Sequence, residues 1–315
     1  MKSSKVQGRS SFQTTLVRKA TVESVGIHSG KKIRCIIHPS PANHGIVFVR
    51  SDIKALPKIK ADISRVVRTD MCTTLGDDNS NIVATVEHLM AALSGMGVDN
   101  VLIELSGPEV PIMDGSALQF TLAIADAGIK ILKTPKKILK LKKAVGVRHN
   151  DKWVYAQPAT TLSISGSIEF KHRVIGEQKF TFNQDMKFSE DLAGARTFGF
   201  LKEVEYLQKK GLALGGSLEN AIVLDDEKVL NPTGLRFNDE FVRHKVLDAL
   251  GDLSLAGMNI LADVQLYKSG HELHTGILKK IFEDAANYEI VELSTEEETE
   301  TKVVPIAGLG LVVSA

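Results

Sequence analysis

Cysteine is scarce. Cys35 and Cys72 are the two in 315 residues, too few for a disulfide framework or a multi-thiolate metal site, and such usage fits a reducing compartment. A cytoplasmic protein is therefore expected. Phe, Tyr and Trp together make 5% of the chain, which leaves little material for the base-stacking platforms of single-strand nucleic-acid binders. Charge of one sign is lacking too: 39 Lys and Arg stand against 38 Asp and Glu, a net charge of +1. Such a chain has no global field to hold nucleic acid or an anionic membrane, so any anionic ligand must be met by a local group of cations. No stretch reaches the roughly 18 apolar residues of a spanning helix. The N-terminus, MKSSKVQGRSSFQ, has no apolar signal core, and the tail Val303–Val313 is short and broken by Pro305, Gly308 and Gly310. What is there is ordinary globular composition, 43% hydrophobic and 24% charged, at a length that suggests two domains.

From Thr15 to Val49 the chain reads as short β-rich runs punctuated by Gly26, Ser29-Gly30, Pro39 and Pro41. A helix is predicted at about Thr85–Gly95, capped by Thr85 and ended by Gly95, with Val86, Leu89, Met90 and Leu93 at helical spacing. The strand DNVLIELSG follows, then a second helix at about Ser116–Ala127 closed by Gly128. The stretch IKILKTPKKILKLKKAVGV carries seven lysines and reads as the domain boundary, its basic side chains guarding a linker and an edge strand. Beyond it the pattern restarts, with strands near 152–157, 161–171 and 179–182, a helix near 201–210 and a strand near 217–224. A long helix at about Asp239–Ala256, a strand at Asn259–Tyr267 and a helix at about His274–Tyr288 complete it. Both halves run strands, helix, strand, helix. The expected fold is α+β, pseudo-duplicated, with domains at 1–132 and 133–290 and the functional cleft between them. Residues from Glu289 on show no helical or strand period, and 291–315 read as a mobile tail.

Histidine is where a metal would be sought, since the thiols are nearly absent. In VRHKVLDALGDL, His244 and Asp248 are four residues apart and emerge on one helix face, with Asp252 a further turn along. The same spacing also fits a solvated His–Asp pair. In TVEHLMAAL, Glu87 and His88 are adjacent at a helix start, where both can border one cavity, although an isolated Glu-His pair says little. In KSGHELHTG, His271 follows a strand and a Ser-Gly turn, a position that suits a general acid or equally an exposed turn residue. Together His88, His244 and Asp248 make a two-His, one-carboxylate set, which leaves one tetrahedral position open as catalytic zinc requires.

The strings TVEHLMAALSGMGVDNVLIEL, PEVPIMDGSA, GARTFGF, GLALGGSLENAIVLDD, GLRFNDEFVRHKVLDALGDL and YKSGHELHTG resemble the bacterial UDP-3-O-acyl-N-acetylglucosamine deacetylases of lipid A (lipopolysaccharide) biosynthesis, from about Thr14 to Tyr288. The resemblance implies two β-α-α-β domains with small inserts about an active-site cleft. It implies a metal-dependent amide hydrolase that removes acetate from a UDP-acyl-amino sugar, with zinc on His88, His244 and Asp248; iron(II) fills the same set. It further implies Glu87 as general base for the hydrolytic water, His271 as general acid with Asp252 holding its imidazole, and Thr197 and Lys245 at the oxyanion. That division meets what amide hydrolysis needs: an activated water, a stabilised oxyanion and a proton for the leaving amine.

The resemblance also implies Lys152 and Lys268 at the nucleotide diphosphate and Phe170 at the uracil. An insert at about 198–224 would line a passage for the acyl chain, with Phe198, Leu207, Leu212 and Gly216 against it. Cys72 and His28 match positions near the cleft without a clear part in the chemistry. His274 departs from the family pattern and could be an extra base. The expected partner is the small-molecule substrate alone, bound by a monomer, with no nucleic acid and no transmembrane segment.

Overall fold

Alternation in Asn259–Tyr267 turns Ile260, Ala262, Val264 and Leu266 inward and leaves the residues between them half-buried, as a strand with one face on a core must. In the computed structural model, which describes residues 10–77 and 81–293 together with the backbone of Val303–Val304, this strand organises a sheet of seven. It pairs antiparallel with Lys152–Pro158 and parallel with Lys137–Leu141 and Ser163–Glu169. The first half has its counterpart in Val101–Leu105, which lies antiparallel to Lys32–Pro39 and parallel to Ile46–Arg50 in a five-stranded sheet. Antiparallel and parallel pairs thus mix in both sheets, and the architecture is α+β as expected.

Among the described residues there are six α-helices: α1 (Glu87–Met96), α2 (Leu118–Ala127), α3 (Phe188–Asp191), α4 (Leu201–Lys209), α5 (Glu240–Leu253) and α6 (His271–Phe282). The pairs α1–α2 and α5–α6 belong to the two halves, and they meet where α1 packs on α5. One hydrophobic core runs through this contact, from Leu89, Met90 and Leu93 of α1 to Val246, Leu247 and Leu250 of α5. The approach is close because Gly251 lies against the backbone of Glu87: a Cβ on Gly251 would run into the Glu87 carbonyl.

Several elements differ from the reading of the sequence. Thr85 does not cap α1. It stands in the left-handed region at φ 57° and gives its hydroxyl to Glu109 Oε1 at 3.1 Å, while Gly97, not Gly95, ends the helix. Helix α6 starts three residues early, at His271, because Gly270 takes the extended N-cap conformation, and it stops at Phe282. Its buried apolar positions begin only at Leu273, so periodicity hides the first turn. The strand predicted near 217–224 is confined to Ile222–Leu224.

The lysine-rich stretch lies in paired strands and not at a sheet edge. Ile129–Pro135 lies between Phe12–Leu16 and Val303–Val304, and Lys137–Leu141 lies between Asn259–Tyr267 and Tyr288–Glu292. Lys136, between these strands, is buried with its Nζ 2.9 Å from Asp99 and its backbone N–H on the Ser11 carbonyl. Tyr288–Glu292 is a strand, so the expected tail begins later than Glu289. Apart from the strand backbone at Val303–Val304, residues 294–315 lie outside the described residues.

Gly251→Ala is expected to force α1 and α5 apart and to cost about 1–3 kcal/mol, as overpacked cores do. Gly276→Ala, in α6 with nothing nearer than 4.0 Å to the added carbon, should be neutral or gain up to about 1 kcal/mol from helix propensity. Denaturant unfolding of the two variants checks both signs.

Candidate active site and metal centre

Glu87 and His88 are the first two residues of α1. What fixes the start of this helix is the carboxylate of Glu109, which is buried and accepts the N–H groups of His28 (2.9 Å) and Ser29 (3.1 Å) as well as the Thr85 hydroxyl. A β-branched residue at positive φ is costly, and this buried bond holds it there. Glu87 is thereby set at the N-terminal end of the helix, where the macrodipole favours an anion, and its Oε2 accepts the N–H of Thr73 at 3.0 Å. Burial works the other way and pushes the Glu87 pKa above the ordinary carboxylate range, against the nearby His271 and His88.

Helix α5 carries His244, Asp248 and Asp252 at successive turns, all buried. The ligand atoms of His88, His244 and Asp248 lie within 4.8 Å of one another. Asp248 Oδ1 is 3.3 Å from His244 Nε2 and 3.5 Å from His88 Nε2, yet it has no hydrogen-bond partner. A buried carboxylate oxygen is rarely left so. The His244 Nδ1–H donates to the Ala195 carbonyl at 3.1 Å, which turns the Nε2 lone pair toward this oxygen. Burial pushes the His244 pKa down to about 3, so the imidazole is neutral. Burial would raise Asp248, but His244 and Lys245 outweigh it and hold its pKa well below the usual carboxylate value. Two imidazoles and one carboxylate form a donor set that fits a divalent cation such as zinc.

The next group adjoins this one. Asp252 Oδ2 accepts the Nδ1–H of His271 at 2.8 Å and of His274 at 2.9 Å, and Asp252 Oδ1 accepts the Thr73 hydroxyl at 2.5 Å. The Ser269 hydroxyl completes the set, hydrogen-bonded to His274 Nε2 at 2.9 Å. His271 Nε2 lies 3.9 Å from Glu87 Oε1. Burial would lower the His271 pKa, but Asp252 and Glu87 outweigh it and raise it to about 10. The pair therefore offers a proton acceptor and a proton donor side by side beside the cation donors.

Other expected residues lie at varying removes. Lys245 Nζ is 3.1 Å from Asp248 Oδ2 and sits over the Phe198 ring. Phe198 touches the rings of Phe170, Phe241 and His244, so an aromatic wall adjoins the His88–His244–Asp248 group. Thr197 precedes Phe198 in the chain and is fixed by backbone bonds to Gly115 and Ile222. Lys268 stands at φ 50° and pairs with Glu169 at 2.7 Å and Asp151 at 3.3 Å, which raise its pKa. Lys152 is exposed at the head of its strand, opposite His149. Helix α4 has no buried residue; Leu207 is half-buried, Leu212 is exposed, and Gly216 closes a turn on Ala213. The segment after α4 is tied to the first half by Gly215 N–H on the Ile27 carbonyl. Cys72 is buried beside the Thr74 hydroxyl, and His28 Nδ1 is buried without a partner.

Sequence reading missed Thr73, Glu109 and Ser269. Thr73 lies 179 residues from the carboxylate it bonds, and no local period reports such a contact. Glu109 bonds backbone groups, for which sequence carries no sign. Ser269 was legible only as a turn residue.

The profile of the UDP-3-O-acyl N-acetylglycosamine deacetylase family matches residues 13–283. Proteins named UDP-3-O-acyl-N-acetylglucosamine deacetylase are similar to the chain over most of its length. The Myxococcus xanthus protein is 49% identical over 286 residues, 90% of this chain and 91% of its own. That of a Nitratiruptor species is 48% identical over 284 residues, 90% and 94% of the two chains. That of Sulfurimonas denitrificans is 43% identical over 291 residues, 92% and 98%.

If His88, His244 and Asp248 hold the cation, His244→Ala and Asp248→Ala should each weaken metal affinity by at least about tenfold, since even outer-shell losses reach that scale. Elemental analysis of protein dialysed against buffered zinc reads this, and full occupancy in either variant would remove that residue from the ligand set.

Proposed function

The chain belongs to the UDP-3-O-acyl-N-acetylglucosamine deacetylase family, and we propose that it hydrolyses the acetamide of UDP-3-O-(3-hydroxyacyl)-N-acetylglucosamine to the free amine and acetate, the committed step of lipid A biosynthesis. The observation that carries the mechanism is one juxtaposition. The buried triangle of His88, His244 and Asp248, with its unpartnered Asp248 oxygen, is flanked by Glu87 and by the Asp252-held His271.

In this reading His88, His244 and Asp248 would hold zinc, or iron(II) on the same donors, which would supply Lewis acidity at the acetyl carbonyl and the attacking water. Glu87, held by the Thr73 N–H, takes a proton from the water that attacks the acetyl carbon. Thr197 and Lys245 donate to the oxygen that gains negative charge. As the C–N bond breaks, His271 Nε2–H protonates the departing amine, and Asp252 keeps that imidazole oriented and charged beforehand. Residues 1–132 contribute Glu87 and His88 to this machinery, and residues 133–290 contribute the rest.

Substrate recognition is assigned to the same surroundings. Lys152 and Lys268 would meet the diphosphate, for which Lys268 must give up Asp151 or Glu169. Phe170 would meet the uracil. The insert offers apolar side chains to the acyl chain at Phe198, Leu207 and Leu212, with Gly216 leaving room; exposed Leu212 and Leu214 have no core to serve. A monomer acting in the cytoplasm completes the reading, and the two free, buried cysteines accord with a reducing compartment.

With zinc supplied, the chain should release acetate from the acylated substrate faster than from UDP-N-acetylglucosamine, because remote binding energy from the acyl chain appears in turnover. Glu87→Gln should keep its metal and lose about a hundredfold or more in kcat, the scale of general-base catalysis. A coupled acetate assay with metal analysis on the same sample decides it, and unchanged turnover would exclude Glu87 as the base.

His271 must be protonated to act as the acid, and its pKa is raised to about 10. Activity should therefore persist above histidine's ordinary range and fall as pH rises through the raised value. The basic limb of the kcat/KM profile should disappear in His271→Ala.

A further inference from the structure

Thr73 is fully buried at the head of the short strand Thr74–Gly76, and each of its polar groups points into the acid–base machinery. Its N–H donates to Glu87 Oε2 at 3.0 Å. Its carbonyl accepts the N–H of Val86, the residue before Glu87, at 3.3 Å. Its hydroxyl donates to Asp252 Oδ1 at 2.5 Å, across to α5. A hydroxyl has one proton, and the Asp252 carboxylate is an acceptor only. The direction of that bond is therefore fixed.

We propose that Thr73 is a positioning residue that joins the base and the acid into one rigid unit, holding Glu87 through its backbone and the Asp252–His271 pair through its hydroxyl. This rests on the deacetylase reading for its catalytic meaning. Asp252 Oδ2 already serves two imidazoles, His271 and His274, so Oδ1 is the oxygen by which the carboxylate can be anchored against rotation. Removing the hydroxyl would leave Oδ1 buried and short of a donor, a state that costs free energy and is relieved by turning the carboxylate. His271 would then lose its orientation relative to Glu87, at present 3.9 Å away. The bridge also crosses between the halves of the chain, so the spacing of base and acid does not depend on helix packing alone.

Thr73→Val keeps the shape and the N–H but removes the hydroxyl; Thr73→Ser keeps the hydroxyl and removes the methyl. In the zinc-loaded full chain, Thr73→Val should lower kcat about tenfold to a hundredfold, with KM changed less than about threefold, the scale seen for outer-shell hydrogen bonds. Thr73→Ser should stay within about threefold of the parent on the same scale. In an Asp252→Asn background, Thr73→Val should add less than about twofold, because residues that act as a unit are not additive. A parent-like kcat in Thr73→Val, a Ser variant as slow as the Val variant, or effects that multiply with Asp252→Asn would each overturn the proposal.

A second readout needs no substrate. In nitrogen-15 histidine spectra, the two Nδ1–H resonances on Asp252 should shift in Thr73→Val and remain in place in Thr73→Ser. Unshifted resonances in the Val variant would equally overturn the bridge. A parent chain that releases no acetate while its spectra respond to Thr73→Val would instead fault the deacetylase reading and leave the bridge standing.

Discussion

The close contact of α1 with α5 is the constraint on which the site depends. Gly251 allows the backbone of Glu87 to rest against α5, and only at that separation can His88 from one helix and His244 and Asp248 from the other bring their ligand atoms together. Leu89, Met90 and Leu93 of α1 and Val246, Leu247 and Leu250 of α5 belong to one core. Core packing is dense and resists small displacements, so the positions of the donor atoms are set by the same contacts that stabilise the fold. The polar cluster then needs few long or mobile elements of its own.

Within this frame, buried charge is arranged by division. Asp248 has one oxygen on Lys245 and one left bare, whereas Asp252 has both oxygens engaged. Two carboxylates a turn apart on one helix are thus given different surroundings by their neighbours: one keeps a buried oxygen without a partner, the other holds two imidazoles and a hydroxyl. Glu87 and His271 show the same logic. Both pKa values are pushed upward, the first by burial and the second by carboxylates that outweigh burial, which favours the proton on the pair over its loss to solvent.

The α+β class, the order of elements and the helical spacing of His244, Asp248 and Asp252 were all legible in the sequence, because i, i+4 spacing on a helix translates directly into a shared face. The adjacency of Glu87 and His88 at a helix start was legible as well. What was hidden depends on contacts between distant segments. The first turn of α6 carries His271 ahead of the buried apolar set, so periodicity placed the helix too late. In the paired interior strand Lys137–Leu141, Ile138, Leu139 and Leu141 are buried while Lys137 and Lys140 are exposed, and the positive charge drew attention away from that pattern. Thr85 looked like a cap because its residue type favours one, whereas a buried glutamate elsewhere claimed its hydroxyl. Thr73 was passed over beside Cys72, since nothing local marks a hydroxyl whose partner comes from the other half.

The buried Lys136 has a mechanical consequence. It sits at the join between the halves, with its ammonium on Asp99, just past the end of α1, and its backbone on Ser11. A hinge needs a junction that can absorb rotation, and domain motion is the default only when the shared interface is small. Here Lys136 is held by these bonds and the core is continuous across it, which opposes rotation of one half against the other. Helix α4 stands outside that core, with no buried residue of its own, whereas the turn after it is tied back to the first half through the Gly215 N–H on the Ile27 carbonyl.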